Sequence, residues 1–276
     1  MGANDTPAAN LTETDVRRVL SATFDRTATA RARFGALSRF LDWCQDAGHI
    51  DANPCALIAR ARRPKAPQPR SNYLSPADLA RLWRAADWFR EPIWRDLARF
   101  LIAIPCRRGE AATMEWSHVD IVKAEWRQPG RLTKNNEPHR LHLHVLAQQL
   151  LRERQKATGG LGLVFPSPKS GSVVTSFNRL KLTLSEKAGV TGWAWHDTRR
   201  SFATALGEAG VSEVIADAVL NHRQSATRAG VMGVYQRSSR WPEQVATMEL
   251  WGRKLAAAIE GQDDDANVVP MTAHAG

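Results

Sequence analysis

The apolar residues of this chain change their spacing in one place, and that change limits the fold class more than any other feature. On either side of residues 120–145, apolar side chains recur at helical spacing, as they do in residues 34–44. Residues 141–145 instead alternate apolar side chains with histidine, which predicts a strand, and residues 121–126 predict another. A turn-forming sequence, residues 133–137, lies between them. The sequence therefore predicts a mainly α-helical protein with one small antiparallel β-sheet.

Helix starts and stops divide the rest of the chain into segments. Ser75, Pro76 and Asp78 form a typical start, with a serine N-cap, proline at the first helical position and an acid in the first turn. We predict one helix beginning there and a short one beginning at Asn53-Pro54. Further helices are predicted at about residues 13–24, 27–47, 92–104, 106–114, 146–157, 177–188, 196–209, 213–221 and 241–259.

The 276 residues carry a formal net charge of +10, an excess that a fold does not need. Contacts with the phosphates of a polyanion would account for it, although a merely basic soluble protein is the alternative. No acidic residue occurs between Ala52 and Ala77, and Pro64, Pro67 and Pro69 indicate an extended linker there. Five basic side chains are expected to follow a phosphate backbone from this stretch: Arg60, Arg62, Arg63, Lys65 and Arg70. A solvated linker without such contacts is the alternative.

Cysteine usage and hydropathy indicate a cytosolic protein. Cys44, Cys55 and Cys106 are odd in number, and no pair has the spacing of metal ligands or of a disulfide framework. They are interpreted as buried or free thiols in a reducing compartment. No apolar run reaches the roughly 18 residues of a membrane span, and the first residues lack a signal pattern.

Two segments place arginines where they could grip a phosphate. Arg107 follows an apolar helix, and Glu110, one helical turn later, could hold and aim its guanidinium. His196 and Arg199 are three residues apart at a predicted helix start, so both project to the same side. Each segment has a plainer alternative, which is a surface ion pair for the first and a capping histidine beside a surface arginine for the second.

Two further residues of interest follow in the chain. His222 ends a predicted helix, and Tyr235, one of only two tyrosines, lies shortly after it. A helix-ending histidine is commonly only a C-terminal cap, and a tyrosine near small residues is more often a packed core ring. Each signal is weak alone, whereas the order and spacing of all of them together are specific.

Together these segments resemble the tyrosine recombinases of the phage-integrase family. The resemblance covers about residues 73–260, and a weaker similarity to the family's helical core-binding domain covers about residues 11–70. The matching motifs, in the family's order, are Arg107-Arg108-Gly109-Glu110 followed by Trp116-Ser117-His118-Val119-Asp120, Thr133-Lys134, Val164-Phe165-Pro166, His196-Asp197-Thr198-Arg199-Arg200, Leu220-Asn221-His222, and Tyr235. Two positions depart from the family's pattern. Ile104-Pro105 replaces the usual Thr-Gly, and Asn221 stands where glycine commonly precedes the second histidine.

The resemblance implies a site-specific DNA recombinase that integrates or excises a mobile element through a 3′-phosphotyrosyl intermediate. The implied catalytic residues are Arg107, Lys134, His196, Arg199, His222 and Tyr235. Tyr235 would attack the phosphate, His196 would accept its proton, and Lys134 would protonate the leaving 5′-oxygen. The two arginines would neutralise the transition-state charge, and the second histidine would donate to the same phosphate. Because arginines supply the positive charge, no metal is expected, and because the covalent bond stores the phosphodiester energy, no ATP is expected either. No other cofactor is expected.

The resemblance also implies a domain plan and partners. A core-binding-like DNA-binding unit is expected in residues 1–63, a basic proline-rich linker in 64–72, a catalytic domain in 73–261 and a disordered tail in 262–276. The expected partners are double-stranded DNA, further copies of the chain in a synaptic tetramer, and DNA-bending accessory proteins, with the protein on the nucleoid when bound to DNA.

The last predicted helix is expected to serve assembly. Its apolar face, with Val245, Met248 and Trp251, is expected to exceed what its own domain can cover and to pass to a neighbouring protomer. Deleting the chain after Arg240 would then leave a folded, DNA-binding protein that assembles poorly.

Three other functions are considered. A topoisomerase with the same chemistry would relax DNA as a monomer without a defined site, and a catalytically impaired remnant of a mobile element would only bind DNA. A metal-dependent nuclease would use His139, His142 and His144 as ligands. No acidic ligand accompanies these histidines, and His142 and His144 are better interpreted as the solvent side of an alternating strand.

Overall fold

The computed structural model describes residues 7–22, 27–66, 72–222 and 240–261. The chain divides into two compact units, unit 1 (Met1–Ser71) and unit 2 (Asn72–Gly276). Unit 1 contains helices α1 (Glu13–Ser21) and α2 (Thr27–Asp46). Unit 2 contains helices α3 (Pro76–Ala85), α4 (Pro92–Ala103), α5 (Arg108–Ala112), α6 (Val145–Thr158), α7 (Phe177–Ala188), α8 (Trp195–Glu208), α9 (Glu213–Val219) and α10 (Trp241–Glu260). Its strands are β1 (Val119–Asp120), β2 (Glu125–Gln128) and β3 (His139–His142).

This composition of elements confirms the predicted fold class, a mainly helical protein with a small antiparallel sheet. The helix start that was predicted from the capping residues Ser75 and Asp78 forms as expected. The Ser75 hydroxyl accepts a hydrogen bond from the Asp78 main-chain N–H (3.1 Å), and α3 begins at the next residue, Pro76. Within the described ranges, no helix is long and apolar enough to cross a membrane.

Unit 1 has a small core of its own. Thr12 caps α1, because its hydroxyl accepts from the Asp15 N–H (3.3 Å) while the Asp15 carboxylate accepts from the Thr12 N–H (3.1 Å). The buried apolar residues that hold α1, α2 and the following turns together are Val16, Leu20, Leu41, Cys55 and Ile58.

The short helix predicted at Asn53-Pro54 is wrong. Residues 54–58 form turns, which are followed by a single 3-10 turn at Arg60–Arg62. The buried Asn53 side chain donates to the Asp42 carboxylate (2.6 Å) and accepts from the Cys55 N–H (2.8 Å). The asparagine therefore fastens the turn to α2 instead of capping a new helix.

Helix α4 runs through the core of unit 2. Leu97, Phe100 and Leu101 are buried, and the Phe100 ring contacts Trp126 of β2 (5.7 Å between ring centroids) and Phe165 (5.2 Å). Aromatic pairs at such separations add to the stabilisation that comes from burial alone. The sheet and the helical layer therefore share one core.

The sheet has the order β1-β2-β3 with antiparallel pairing. Trp126 of β2 lies opposite Val119 on one side and Leu141 on the other. The predicted strand positions are shifted from the observed ones. Residues 121–124 form the turn between β1 and β2, and Val145 is the first residue of α6.

His142 and His144 do not form a solvent-exposed strand face, so that interpretation is wrong. His142 is 9% exposed and its Nε2 lies 2.6 Å from the Glu249 carboxylate, while His144 is fully buried and bonds the Ala103 carbonyl oxygen through Nε2 (2.9 Å). A Cβ on Gly252 would lie 2.7 Å from the His144 ring, so α10 approaches this ring closely. The alternation of the sequence reflects two buried histidines that bond partners on distant helices, Glu249 of α10 and Ala103 of α4.

The apolar face of α10 is covered by unit 2 itself, which corrects the expectation that it exceeds its own domain. Met248, Trp251 and Leu255 are 0%, 3% and 2% exposed. The Trp251 indole N–H donates to the Ala103 carbonyl (2.7 Å), and its ring meets Phe202 edge to face (5.6 Å). Helix α10 is therefore part of the core.

Candidate active site

Arg107 lies immediately before α5 and is held by Glu110 within that helix. The Glu110 carboxylate accepts one hydrogen bond from the Arg107 main-chain N–H (2.8 Å) and another from its Nη1 (2.7 Å). The Glu110 side chain is 6% exposed and the Arg107 side chain 27% exposed. Charge-assisted hydrogen bonds are stronger than neutral ones, so the buried carboxylate fixes both the main chain and the side chain of Arg107. The Arg107 guanidinium remains partly exposed to solvent.

Arg199 projects from α8 and is almost completely buried. Its Nη1 donates to the Pro105 carbonyl, and its Nη2 donates to the Leu220 carbonyl (2.7 Å). Burial lowers the pKa of the guanidinium and the nearby charge of Arg107 acts in the same direction, while Glu110 opposes them. An arginine stays charged under such conditions, so the buried cation is placed by carbonyls from two separate loops.

Cys106, between Pro105 and Arg107, is a buried thiol. Burial raises its pKa, and Glu110 adds to the rise. The thiol is therefore neutral at physiological pH and is not a nucleophile. All three cysteines are buried, as was expected for free thiols.

His222 follows α9 and lies beside Arg199. Its Nδ1 is 3.0 Å from the Asp217 carboxylate, and its Nε2 is 3.4 Å from Nη2 of Arg199. A carboxylate partner fixes the hydrogen of a neutral ring on Nδ1. The preceding residue, Asn221, has a φ of +50°, a left-handed backbone that asparagine tolerates better than most residues. This bend places the ring next to the buried arginine.

His196 lies one helical turn before Arg199 at the start of α8 and is exposed. Partial burial lowers its pKa, and the charges of Arg199 and Arg200 lower it further. Asp197 holds this helix start, because its buried carboxylate accepts from the Ala194 N–H (2.8 Å) and from Arg200 Nη1 (2.9 Å). The His196 imidazole is consequently neutral near pH 7 and able to accept a proton.

Lys134 is exposed on the turn that connects β2 to β3. The turn is compact, since the buried Thr133 hydroxyl lies 2.9 Å from the Gly130 carbonyl and 2.8 Å from the Glu137 carbonyl. A Cβ on Gly130 would lie only 2.6 Å from the carbonyl oxygen of Asn136, so this close approach requires glycine. The lysine thus extends from an ordered support.

The structure brings four of the predicted residues into one network and attaches a fifth. Arg107, Arg199, His196 and His222 are linked by the contacts and charge interactions given above. The turn that carries Lys134 joins this network through a hydrogen bond from Asn135 to Asn221 (2.8 Å). Tyr235 and Arg70, both predicted to function, lie outside the described residues.

Asp217 and Asn135 belong to this network but were not predicted to. Asp217 lies five residues before His222, and this spacing does not by itself predict the hydrogen bond between their side chains at the end of α9. Asn135 contacts a residue 86 positions away, which no local pattern predicts.

The other basic residues that were predicted to follow a phosphate backbone differ in exposure. Arg60, Arg62 and Lys65 are exposed, whereas Arg63 donates to the Ile58 carbonyl (2.9 Å) and stacks on Phe34.

His139, His142 and His144, the three histidines of the metal-nuclease alternative, each bond a separate partner. His139 Nε2 lies 3.1 Å from the Val219 carbonyl oxygen, while His142 and His144 have the partners given above. Across the part of the chain that the structure describes, no group of three or more His, Cys, Asp or Glu residues could hold a metal ion.

Comparison with known proteins adds an independent observation. Residues 72–231 match the model of the phage integrase family, which is more than half of the chain. The chain belongs to this family. A prophage integrase of Escherichia coli K12, IntZ, is 24% identical over 216 residues, a match that spans 77% of this chain and 52% of that protein. This chain therefore spans about half the length of that curated relative.

Solved structures of other integrases share the fold of this family member. Lambda integrase residues 75–356, in a dimer bound to a COC′ core site, superposes with a TM-score of 0.63 at 18% identity and covers 86% of this chain and 85% of that one. The Tn1549 transposon integrase in complex with circular intermediate DNA gives a TM-score of 0.57 at 16% identity, with 86% of each chain covered. At these identities the likeness concerns the fold.

Proposed function

We propose that this protein is a site-specific DNA recombinase that cuts and rejoins DNA through a 3′-phosphotyrosyl intermediate formed by Tyr235. The observation that carries the proposal is the fixed cation at the centre of the network. Arg199 is held by two main-chain carbonyls, with His222 Nε2 3.4 Å from its Nη2 and with Arg107 close enough to lower its pKa. A positive charge that is already in position before the reaction can stabilise the negative charge that develops on the phosphate oxygens in the pentavalent transition state of phosphoryl transfer.

The proposed steps balance without an external energy source. The Tyr235 oxygen forms a bond to the scissile phosphorus as the bond to the 5′-oxygen breaks. His196 accepts the phenol proton and Lys134 gives a proton to the leaving 5′-oxygen. The phosphotyrosyl bond keeps the energy of the phosphodiester, so a 5′-hydroxyl can reverse the step. The two arginines take the charge-neutralising role, so neither a metal ion nor ATP is required.

The proposed substrate and assembly follow the family. The lambda integrase structures contain a dimer on a core site and a tetramer on a Holliday junction. We propose double-stranded DNA as the substrate here, bound by the catalytic domain and by the basic residues Arg60, Arg62 and Lys65, and a tetramer as the active assembly. The integration or excision of a mobile element is the proposed biological role, with DNA-bending proteins as accessory partners.

Replacing the proposed nucleophile tests this function. On a nicked duplex that loses its short 5′ fragment after cleavage, the parent protein should accumulate a protein–DNA adduct that survives denaturation, also in excess EDTA. Tyr235→Phe should bind the same DNA and give no adduct, because only the attacking hydroxyl is removed. The matched control is Tyr73→Phe, since Tyr73 is exposed before α3 and is the only other tyrosine.

The outcomes separate the competing functions. An adduct from Tyr235→Phe but not from Tyr73→Phe would refute the assignment. Absence of any adduct from the parent would favour a remnant that only binds DNA. Relaxation of supercoiled plasmids without a preferred sequence would favour a topoisomerase-like activity.

A further inference from the structure

The turn that carries Lys134 is fastened to the segment that carries His222. Asn135 Nδ2 donates to Asn221 Oδ1 (2.8 Å), and Asn221 Nδ2 lies 3.3 Å from Asn135 Oδ1, so the two amides face each other. Each asparagine is the direct neighbour of a candidate active-site residue. Both are half-buried, which limits competition from water for their hydrogen bonds.

The backbone at Asn221 makes this pairing possible. Its φ of +50° lies in the left-handed region, where glycine is the default and asparagine is the residue with a side chain that enters most readily. Glycine would allow the same bend and could not reach the turn. Asn221 therefore combines the bend before His222 with a side chain that contacts Asn135.

A second bond ties the same two segments. His139, the first residue of β3, places Nε2 3.1 Å from the Val219 carbonyl oxygen, at the end of α9. Burial lowers the pKa of His139, so its ring is neutral and can donate this hydrogen bond near pH 7. The turn is thus attached at its tip and at its base to residues 219–221, and Gly130 and Thr133 keep it compact in between.

We propose that the Asn135–Asn221 amide pair is a positioning clamp that holds the Lys134 turn at the His222 end of the site before DNA binds. This inference rests on the proposed function of Lys134 as the proton donor. Without the pair the turn samples other positions, so the lysine is less often in place when the 5′-oxygen leaves. The clamp acts through Lys134 and touches no reacting atom itself.

The expected size of the effect follows from the strength of such bonds. A hydrogen bond contributes about 0.5 to 1.5 kcal/mol net, which corresponds to a change of about 2- to 12-fold in the ratio of docked to undocked turn. The cleavage rate follows the docked fraction and the digestion rate follows the undocked fraction, so each changes by at most this factor. Asn221→Gly is the informative variant because it keeps the left-handed backbone and removes only the amide. Asn135→Ala removes the other half of the pair, together with an acceptor for the Thr133 hydroxyl (3.0 Å) within the turn. Asn72→Ala is the matched control, because its amide bonds the Gly192 carbonyl away from the turn (3.3 Å).

Cleavage of two substrates measures the positioning role. On an ordinary phosphodiester, Asn221→Gly and Asn135→Ala should each cut more slowly than the parent in single turnover, by up to about 12-fold. On a 5′-bridging phosphorothiolate, whose leaving group needs no proton, both should cut at the parent rate, and Lys134→Ala should be rescued in the same way. The double variant should be no slower than either single one. Equal slowing on both substrates, additive effects in the double variant, or parent rates on the phosphodiester would overturn the clamp.

Limited proteolysis provides a readout that does not depend on catalysis. In the DNA-free protein, trypsin should cut after Lys134 faster in Asn221→Gly and Asn135→Ala, by up to about 12-fold, and at the parent rate in Asn72→Ala. Unchanged digestion would overturn the clamp even if cleavage were slower. If the parent forms no covalent adduct, the proposed function fails, whereas faster digestion would still demonstrate the attachment of the turn.

Discussion

Ending the chain after Arg240 removes helix α10 and is expected to unfold unit 2. The deletion removes three nearly fully buried side chains from its core, Met248, Trp251 and Leu255. Truncating a buried leucine or methionine to alanine costs about 2 to 5 kcal/mol and a tryptophan about 3 to 5 kcal/mol, which gives about 7 to 15 kcal/mol for the three. Net stabilities of domains are about 5 to 15 kcal/mol. The loss is therefore of the same size as the whole net stability of a domain.

Polar contacts of α10 are lost in the same deletion. The Ala103 carbonyl loses the Trp251 indole as a donor, His142 loses the Glu249 carboxylate, and Arg84 loses the Ile259 carbonyl (2.8 Å). The Ala103 carbonyl keeps its bond to His144, whereas the buried His142 ring is left without its carboxylate partner, and that loss adds to the cost. A chain that ends after Gly261 is the matched control, since it keeps every one of these contacts.

Circular dichroism and thermal unfolding would measure the difference. The control should show a cooperative transition near that of the parent, whereas the chain ending after Arg240 should lose the transition and most of its helical signal. A truncated protein that lacks only the signal of one 20-residue helix and unfolds at the parent temperature would refute this reasoning. That result would instead support the assembly role expected from the sequence.

Three further outcomes are expected. Gly130→Ala should slow cleavage with little effect on DNA binding, because its Cβ would lie 2.6 Å from a carbonyl oxygen of the Lys134 turn; equal rates in single-turnover assays would contradict this. Gly252→Ala should lower Tm, because its Cβ would lie 2.7 Å from the buried His144 ring; an unchanged Tm would show that the ring can move aside. Burial lowers the pKa of both His139 and His144, so the folded state binds fewer protons than the unfolded one, and stability should fall as pH drops below the unfolded value of about 6.5. Urea unfolding at several pH values between 5 and 8 would measure this, and a flat profile would contradict it.

Helices were predictable where their signals are local. Ser75 with Asp78 marks a helix start that forms as expected, and the predicted helix at residues 177–188 coincides with α7. Asn53 carries a similar local signal and misleads, because its buried side chain bonds Asp42 in the preceding helix. Local patterns do not distinguish a capping asparagine from one that is captured by tertiary structure.

The candidate site was predictable only as a set of residue types. Spacing placed His196 and Arg199 on the same side of one helix, and family resemblance added the others. The carbonyls that hold Arg199 come from Pro105 and Leu220, which lie 94 and 21 residues away in the chain. Main-chain acceptors leave no trace in residue type, so the physical reason for the placement of this arginine appears only in the fold.

Strand β3 connects the fold to the candidate site in a way that its short sequence does not reveal. Its first residue, His139, bonds the segment that leads to His222. The Arg140 guanidinium lies over the Trp241 ring (3.6 Å to its centroid), at the first residue of α10. His142 bonds Glu249, which lies about two helical turns further along the same helix. The two described ends that flank residues 223–239 are thus tied to the same four-residue strand. Because the Lys134 turn leads directly into this strand, the position of the proposed proton donor and the positions of Val219 and Trp241 depend on one element.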